Sequence, residues 1–227
     1  MNALINAHTK RGRSRSPYTG LTSNVLPEAQ CSQTGASSEY IQKANHKWFV
    51  LRVTYNRTQQ AYDIISKTDV LSYMPMHYVM KKEIGKKKRI LQPLLPNLFF
   101  VYTTRERADL IVKKKGDETP IIKYYLDKIK PKEANGKHPP LTISFESMMN
   151  FIKATSTESK HVRIVSPEQC HYKSGDIVKV IGGEFKGVTG KVARIAGQQR
   201  VVVEISGLCL VATAYIPTDF IRKENEF

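Results

Sequence analysis

The chain has 227 residues, enough for two modest domains with their own cores, and its hydrophobic content of 41% is ordinary for a folded protein. Lysine and arginine number 36 against 20 acidic residues, and a net charge of +16 favours a polyanionic partner over a merely solubilising surface. No apolar run approaches the roughly 20 residues that span a bilayer, and no secretory signal begins the chain, so we expect no membrane contact.

Residues 1–45 differ in composition from the rest. Residues 11–17 are basic and turn-rich, and residues 31–38 are small and polar, so neither stretch buries enough apolar surface to offset the entropy of ordering. We predict a flexible tail. Three interpretations stay open for it. The tail contacts nucleic acid, it is an artefact of an upstream start site, or it has no role.

The first domain begins with a strand and a helix. The apolar and aromatic run at residues 47–53 predicts a central strand, and residues 58–66 place apolar side chains on one helical stripe. Residues 73–84 then predict a second strand, Gly85 a turn, and residues 89–92 an antiparallel return. The pattern is that of a hairpin.

The tip of this hairpin, residues 81–89, holds six basic residues against one acid. Such a tip can protect a sheet edge from aggregation, or it can contact phosphates. We favour the contact, and the nucleic-acid-binding candidates are Lys86, Lys87, Lys88 and Arg89.

The domain is completed by an apolar strand at residues 96–102, a helix at 106–114, a further strand at 121–127 and a serine-capped helix at 144–152. The polar residues 154–160 then read as a linker.

Residues 174–192 carry Gly-Asp-x-Val-x-Val followed by Gly-x-Phe-x-Gly-x-x-Gly-x-Val. Gly182-Gly183 supplies the positive backbone angles of a turn, and further strands follow at residues 191–195, 200–205 and 209–215. Short strands with glycine turns predict a small closed β-barrel from about residue 167 to 223. Phe185 at a hairpin tip can either cover the barrel or stand exposed as a contact.

The 174–192 stretch resembles the KOW motif of ribosomal proteins and NusG-type transcription factors. The aromatic first strand, helix, basic hairpin, proline-centred turn and strand at residues 94–101 are together similar to the NusG N-terminal (NGN) domain. The two resemblances cover residues 46–223. Residues 207–217 are similar to the final strand of UpxY-type specialised antiterminators, which act on capsular polysaccharide operons.

The resemblance implies an α+β fold in which an NGN-like antiparallel sheet, flanked by helices, precedes an all-β, SH3-like KOW barrel. We expect the tail at residues 1–45, the polymerase-binding domain at 46–153, a linker at 154–166 and the barrel at 167–227. The β-branched strands of the barrel argue against a switch to helices.

The resemblance also implies that an apolar patch binds RNA polymerase, and the matching positions are Trp48, Leu95, Leu98 and Phe100. By parity Leu98 and Phe100 share one face of their strand, while Phe99 and Val101 share the other, so part of this set must be packing. Holding the polymerase clamp would suppress pausing or termination by shifting populations.

The barrel would recruit a ribosomal protein or a termination factor, with Phe185 as the contact candidate. The His-Thr-Thr element of some relatives is missing, so no second polymerase contact is assigned. We expect a monomer. The competing interpretations are a KOW-containing ribosomal or ribosome-assembly RNA-binding protein and a nucleic-acid enzyme; target operon, recruiting signal and the choice between antitermination and pausing stay open.

Cysteine and histidine spacing gives no support for a metal or catalytic site. Cys31, Cys170 and Cys209 form no Cys-x-x-Cys pair, which favours a reducing cytoplasm, and Cys170-His171 has no second ligand pair at zinc-site spacing. Gly190-Lys191 leads into a strand pattern rather than the helix of a phosphate-binding loop. We expect no catalytic residue, metal or cofactor.

Overall fold

The computed structural model describes residues 20–22, 40–54, 57–83, 85–113, 121–157 and 161–224. These residues form an α+β protein with three α-helices and two antiparallel sheets, the second of them in a β-rich C-terminal part. The predicted fold class is therefore confirmed. No helix in the described ranges is long and apolar enough to span a bilayer.

The first sheet has seven strands: β1 (Gly20–Thr22), β2 (Lys47–Val53), β3 (Leu71–Glu83), β4 (Lys86–Pro93), β5 (Leu98–Thr103), β6 (Ile122–Tyr124) and β7 (Thr142–Ile143). Their order is β1-β3-β5-β2-β6, with β4 added to β3 and β7 to β2. The helices are α1 (Thr58–Ser66), α2 (Arg105–Lys113) and α3 (Phe145–Thr155).

Strand β5 is buried on both faces, and its side chains alternate between two cores. Phe99 and Val101 pack in the cluster that contains the buried residues of α1 and α2. Phe100 belongs to the other cluster, with Leu98 packed against it and α3 as its cover. The predicted parity is confirmed, since successive side chains of a strand point to opposite faces.

Helix α3 is fixed at both ends of its path over the sheet. The hydroxyl of Ser144 caps its start by accepting a hydrogen bond from the backbone N–H of Ser147 at 3.1 Å. Near its end, the Thr155 and Tyr73 hydroxyls are hydrogen-bonded at 2.7 Å, and Thr155 also donates to the Phe151 carbonyl. Burial raises the pKa of Tyr73 to about 12, so its phenol stays neutral.

The second sheet has six strands: β8 (Arg163–Val165), β9 (His171–Val180), β10 (Thr189–Ile195), β11 (Gln198–Ile205), β12 (Cys209–Tyr215) and β13 (Ile221–Lys223). Their order is β13-β9-β10-β11-β12-β8 and every pair is antiparallel. The predicted run of short strands is confirmed. Over the described residues the ladder ends at β13 and β8, whereas a closed barrel was predicted.

The backbone geometry requires glycine at two positions, one in the β9–β10 connection and one in β10. Gly183 has a φ of +74°, which a side chain would strain, whereas Gly182 does not have the positive φ predicted for it. A Cβ atom at Gly190 would overlap the main-chain carbonyl oxygen of Val202 on the neighbouring strand. Gly190 therefore lets β10 and β11 approach closely.

The two sheets pack against each other through α3. Apolar residues of α3, of the first sheet and of the second sheet form one buried cluster. At its edge the Asn150 side chain on α3 donates to the carbonyl of Thr189 at 2.6 Å and accepts from the N–H of Thr189 at 2.8 Å. The amide thus replaces a strand partner at the start of β10.

This contact changes the predicted boundaries. Helix α3 continues to Thr155, and residues Arg163–Val165 form β8 on the second sheet, so the predicted 154–166 linker includes a helix end and a strand. The physical reason is that Ala154 and Thr155 are buried, with the Thr155 hydroxyl hydrogen-bonded, although the stretch reads as polar.

Part of the predicted tail also has structure. β1 pairs with β3 at Gly20 and Pro75, and the Tyr40 side chain is buried edge-on to Trp48, with ring centroids 5.8 Å apart. Residues 1–19 and 23–39, on which the rest of that prediction falls, lie outside the described residues.

Candidate interfaces

Three of the four predicted polymerase contacts are core residues. Trp48 and Phe100 have no exposed surface and Leu95 is 7% exposed. The Phe100 ring lies 5.4 Å from that of Phe151 on α3, and the Trp48 ring lies 5.2 Å from that of Tyr102. The expectation of an exposed patch at these three positions is corrected, because α3 and the aromatic residues around it cover this face of the sheet.

Leu98 is the exception. It is half-buried at the first position of β5, opposite Arg52 of β2, and it packs against the edge of the α3-covered cluster. Of the four predicted positions, Leu98 keeps the largest accessible surface.

The basic hairpin extends from the first sheet as a two-stranded ribbon, because β4 pairs only with β3 among the described strands. Its register places Lys81 opposite Lys88 and Lys82 opposite Lys87. Like charges in directly opposed positions destabilise a strand pair, and an anion between them removes that cost. The Lys86 backbone lies in β4, but its side chain is outside the described residues.

One face of the ribbon combines the charge of Lys82, Lys87 and Arg89 with apolar surface. Tyr78 is opposite Leu91 and Met80 is opposite Arg89, so all four side chains share a face. The Arg89 guanidinium lies 3.6 Å from the centre of the Tyr78 ring, and Met80 is 61% exposed. Tyr78, Met80 and Leu91 were not among the predicted site residues, although their period-two spacing on either side of the turn was a usable signal.

Phe185, the predicted contact on the second sheet, is 4% exposed and lies in the large cluster with the valines of β9 and β11. It folds back as a cover on the sheet, which corrects its assignment as an exposed contact. A partner of this sheet must bind other residues.

The described residues contain no group of three or more histidine, cysteine or acidic side chains that could hold a metal ion. Cys170 is buried, and burial raises the pKa of Cys209 to about 12, which disfavours the thiolate that a metal ligand requires.

Residues 46–152 match the family model described as "Transcription termination factor nusG". The match begins just before β2 and ends within α3, so it covers strands β2 to β7, helices α1 and α2, and most of α3. It supports a NusG-type assignment of this domain. No curated protein matches the chain.

Proposed function

We propose that this protein is a transcription elongation or antitermination factor that binds RNA polymerase through its first domain. The observation that carries the proposal is the match of residues 46–152, because NusG-type proteins are transcription factors rather than enzymes and typically bind RNA polymerase. The net charge of +16 is consistent with work beside nucleic acid.

The polymerase contact is centred on Leu98. Burying apolar surface at this position contributes about 25 cal/mol per Å² of area removed from water. A factor that holds the polymerase clamp in its closed arrangement lowers the population of paused and termination-prone states. Its effect is a population shift and needs no chemical step.

The ribbon contacts the nucleic acid of the transcription complex. Lys87, Lys88 and Arg89 neutralise phosphates, while Met80 beside the stacked Tyr78 offers apolar surface to bases or sugars. The resemblance of residues 207–217 to UpxY-type factors further supports a specialised operon, such as one for capsular polysaccharide synthesis.

The polymerase contact is tested by the binding of purified RNA polymerase to the full chain and to a Leu98→Asp variant. We expect the variant to keep its fold and lose most of its affinity, because a carboxylate would be desolvated at the contact. Leu110→Asp is the matched control, since Leu110 is 60% exposed on α2, which covers the opposite face of the sheet. Wild-type affinity in Leu98→Asp, or an equal loss in Leu110→Asp, refutes the assignment.

The ribbon is tested by salt titration of duplex DNA binding. Replacing Lys87, Lys88 and Arg89 with alanine should reduce the slope of log K against log salt by up to about 2.7, at about 0.9 per phosphate contact. An unchanged slope places the nucleic-acid contact elsewhere.

A ribosomal or ribosome-assembly function would share the basic charge and the second sheet, but it gives no reason for the match of the first domain. Stoichiometric co-sedimentation with ribosomal subunits at high salt, without polymerase binding, would favour it.

A further inference from the structure

A groove opens at one end of the second sheet, where the β10–β11 turn meets the segment after β12. It has a volume of about 440 Å³, which lies within the range of roughly 300–1,000 Å³ typical of small-ligand sites. It is lined by Arg194, Gly197, Gln198, Gln199, Tyr215 and Thr218. The lining thus contains a cation, an aromatic ring and two amides, and it contains no acid.

The two amides are held in opposite orientations. The Gln199 side-chain NH₂ donates to the carbonyl of Ile216 at 3.2 Å and to the hydroxyl of Thr218 at 3.3 Å, which leaves its oxygen as an acceptor. The Gln198 oxygen accepts from the Arg200 guanidinium at 2.8 Å, which leaves its NH₂ as a donor. Adjacent residues therefore supply one fixed donor and one fixed acceptor.

Arg200 acts as the positioning residue. It is only 5% exposed, and its guanidinium also donates to the carbonyls of Thr213 at 2.6 Å and His161 at 3.1 Å. Burial, and then the nearby Arg163, lowers its pKa. Across the described ranges no carboxylate forms an ion pair with it. A buried cation is costly, and here its hydrogen bonds fix the strand end and the Gln198 amide.

Tyr215 is 56% exposed, more than Tyr172, the other exposed tyrosine of the second sheet. Stacking on an exposed tyrosine requires a flat ligand. Every nucleobase has a flat π-face and carries hydrogen-bond donors or acceptors on its edge, and a following phosphate suits a cation such as Arg194.

We propose that this groove binds an unpaired base of a single-stranded nucleic acid. The base stacks on Tyr215, its edge meets the amides of Gln198 and Gln199, and the adjoining phosphate meets Arg194. Bases within a duplex are already stacked and paired, so double-stranded nucleic acid does not fit. The proposal is independent of polymerase binding, which concerns the first sheet.

The test is fluorescence anisotropy of the full chain with labelled eight-nucleotide strands, rA8, rC8, rU8 and dT8. Tyr215→Ala should weaken binding of all four by about 5- to 150-fold, the effect of losing one stacked base, whereas Tyr215→Phe should bind like the wild type. Tyr172→Ala is the matched control, since Tyr172 is an exposed tyrosine on β9 outside the groove. Unfolding curves confirm that each variant is folded.

The edge and the phosphate contacts have separate signatures. Gln198→Ala and Gln199→Ala should change the ratio of affinities among rA8, rC8 and rU8. Arg194→Ala should reduce the salt slope by about 0.7, which Tyr215→Ala leaves unchanged. The site is supported if RNA binds more tightly than dT8 and also if the two bind equally. Tighter binding of RNA would indicate an additional contact to the sugar hydroxyl.

Two results overturn the proposal. One is that Tyr215→Ala binds the strands with wild-type affinity, which is expected if all of the affinity comes from the ribbon of the first sheet. The other is an equal loss in Tyr172→Ala or Tyr215→Phe, which would show that a stacking surface at Tyr215 is not what binds.

Discussion

Replacing Phe100 with alanine should destabilise the first domain strongly. The Phe100 side chain is fully buried, and its ring packs edge-on against Phe151 at 5.4 Å and beside Tyr73 at 6.5 Å. Truncating a buried phenylalanine costs about 3–5 kcal/mol of unfolding free energy, and loss of two aromatic neighbours places this site toward the upper end of the range. Leu98→Ala, which removes a half-buried side chain, should cost about 1–2 kcal/mol.

Urea denaturation followed by tryptophan fluorescence measures both losses. Trp48 is the single tryptophan of the chain and lies buried in the same cluster as Phe100, so its emission reports on this core. With a urea dependence of about 2 kcal/mol per molar, Phe100→Ala should lower the midpoint by about 2 M.

Comparing the losses of unfolding free energy in Phe100→Ala and Leu98→Ala shows whether Phe100 is a core residue or a polymerase contact. If Phe100 were a contact for the polymerase, its truncation would leave stability nearly unchanged and affect only binding. A loss below about 1 kcal/mol in Phe100→Ala, or an equal loss in Leu98→Ala, would refute the packing assignment.

Three further outcomes are expected. Asn150→Ala removes two hydrogen bonds to the Thr189 main chain and should cost about 1–3 kcal/mol in urea unfolding; an unchanged midpoint would show that this contact carries no stability. Gly190→Ala forces a Cβ against the Val202 carbonyl and should disrupt the second sheet in far-UV circular dichroism, which wild-type melting would contradict. Burial lowers the pKa of His77 below its ordinary 6.5, so the unfolded state binds the proton more readily and stability should fall as pH decreases below about 6.5. His77→Gln should flatten that slope, and an equally steep slope in the variant would exclude His77 as its origin.

The period-two pattern of β5 could be read from the sequence, but what covers each face could not. Phe99 and Phe100 are adjacent, equally apolar residues whose opposite directions follow from strand geometry alone. That Phe100 meets Phe151 depends on where α3 lies, and α3 follows β5 only after several other elements. The polymerase contact was therefore predicted mostly at positions that are buried in the core.

The same limit applied to the ends of elements. Thr155 reads as part of a polar linker, yet its hydroxyl is satisfied by Tyr73 and by the helix backbone, and it is buried. The groove of the second sheet was not foreseen either. Gln198 and Gln199 lie between the strands predicted at residues 191–195 and 200–205. The orientation of their amides depends on contacts with Arg200 and Ile216, which sequence spacing does not show.

Helix α3 has a consequence for how this architecture can be recombined. Helix α3 packs against both sheets, and Asn150 completes the hydrogen bonding at the first residue of β10. The C-terminal half therefore cannot be exchanged for that of a relative without a compatible α3 surface. A chimera joined within residues 156–162 would pair α3 of one protein with the second sheet of another, and the two packing surfaces would not match. Functional grafts onto this protein should therefore include α3 together with the second sheet.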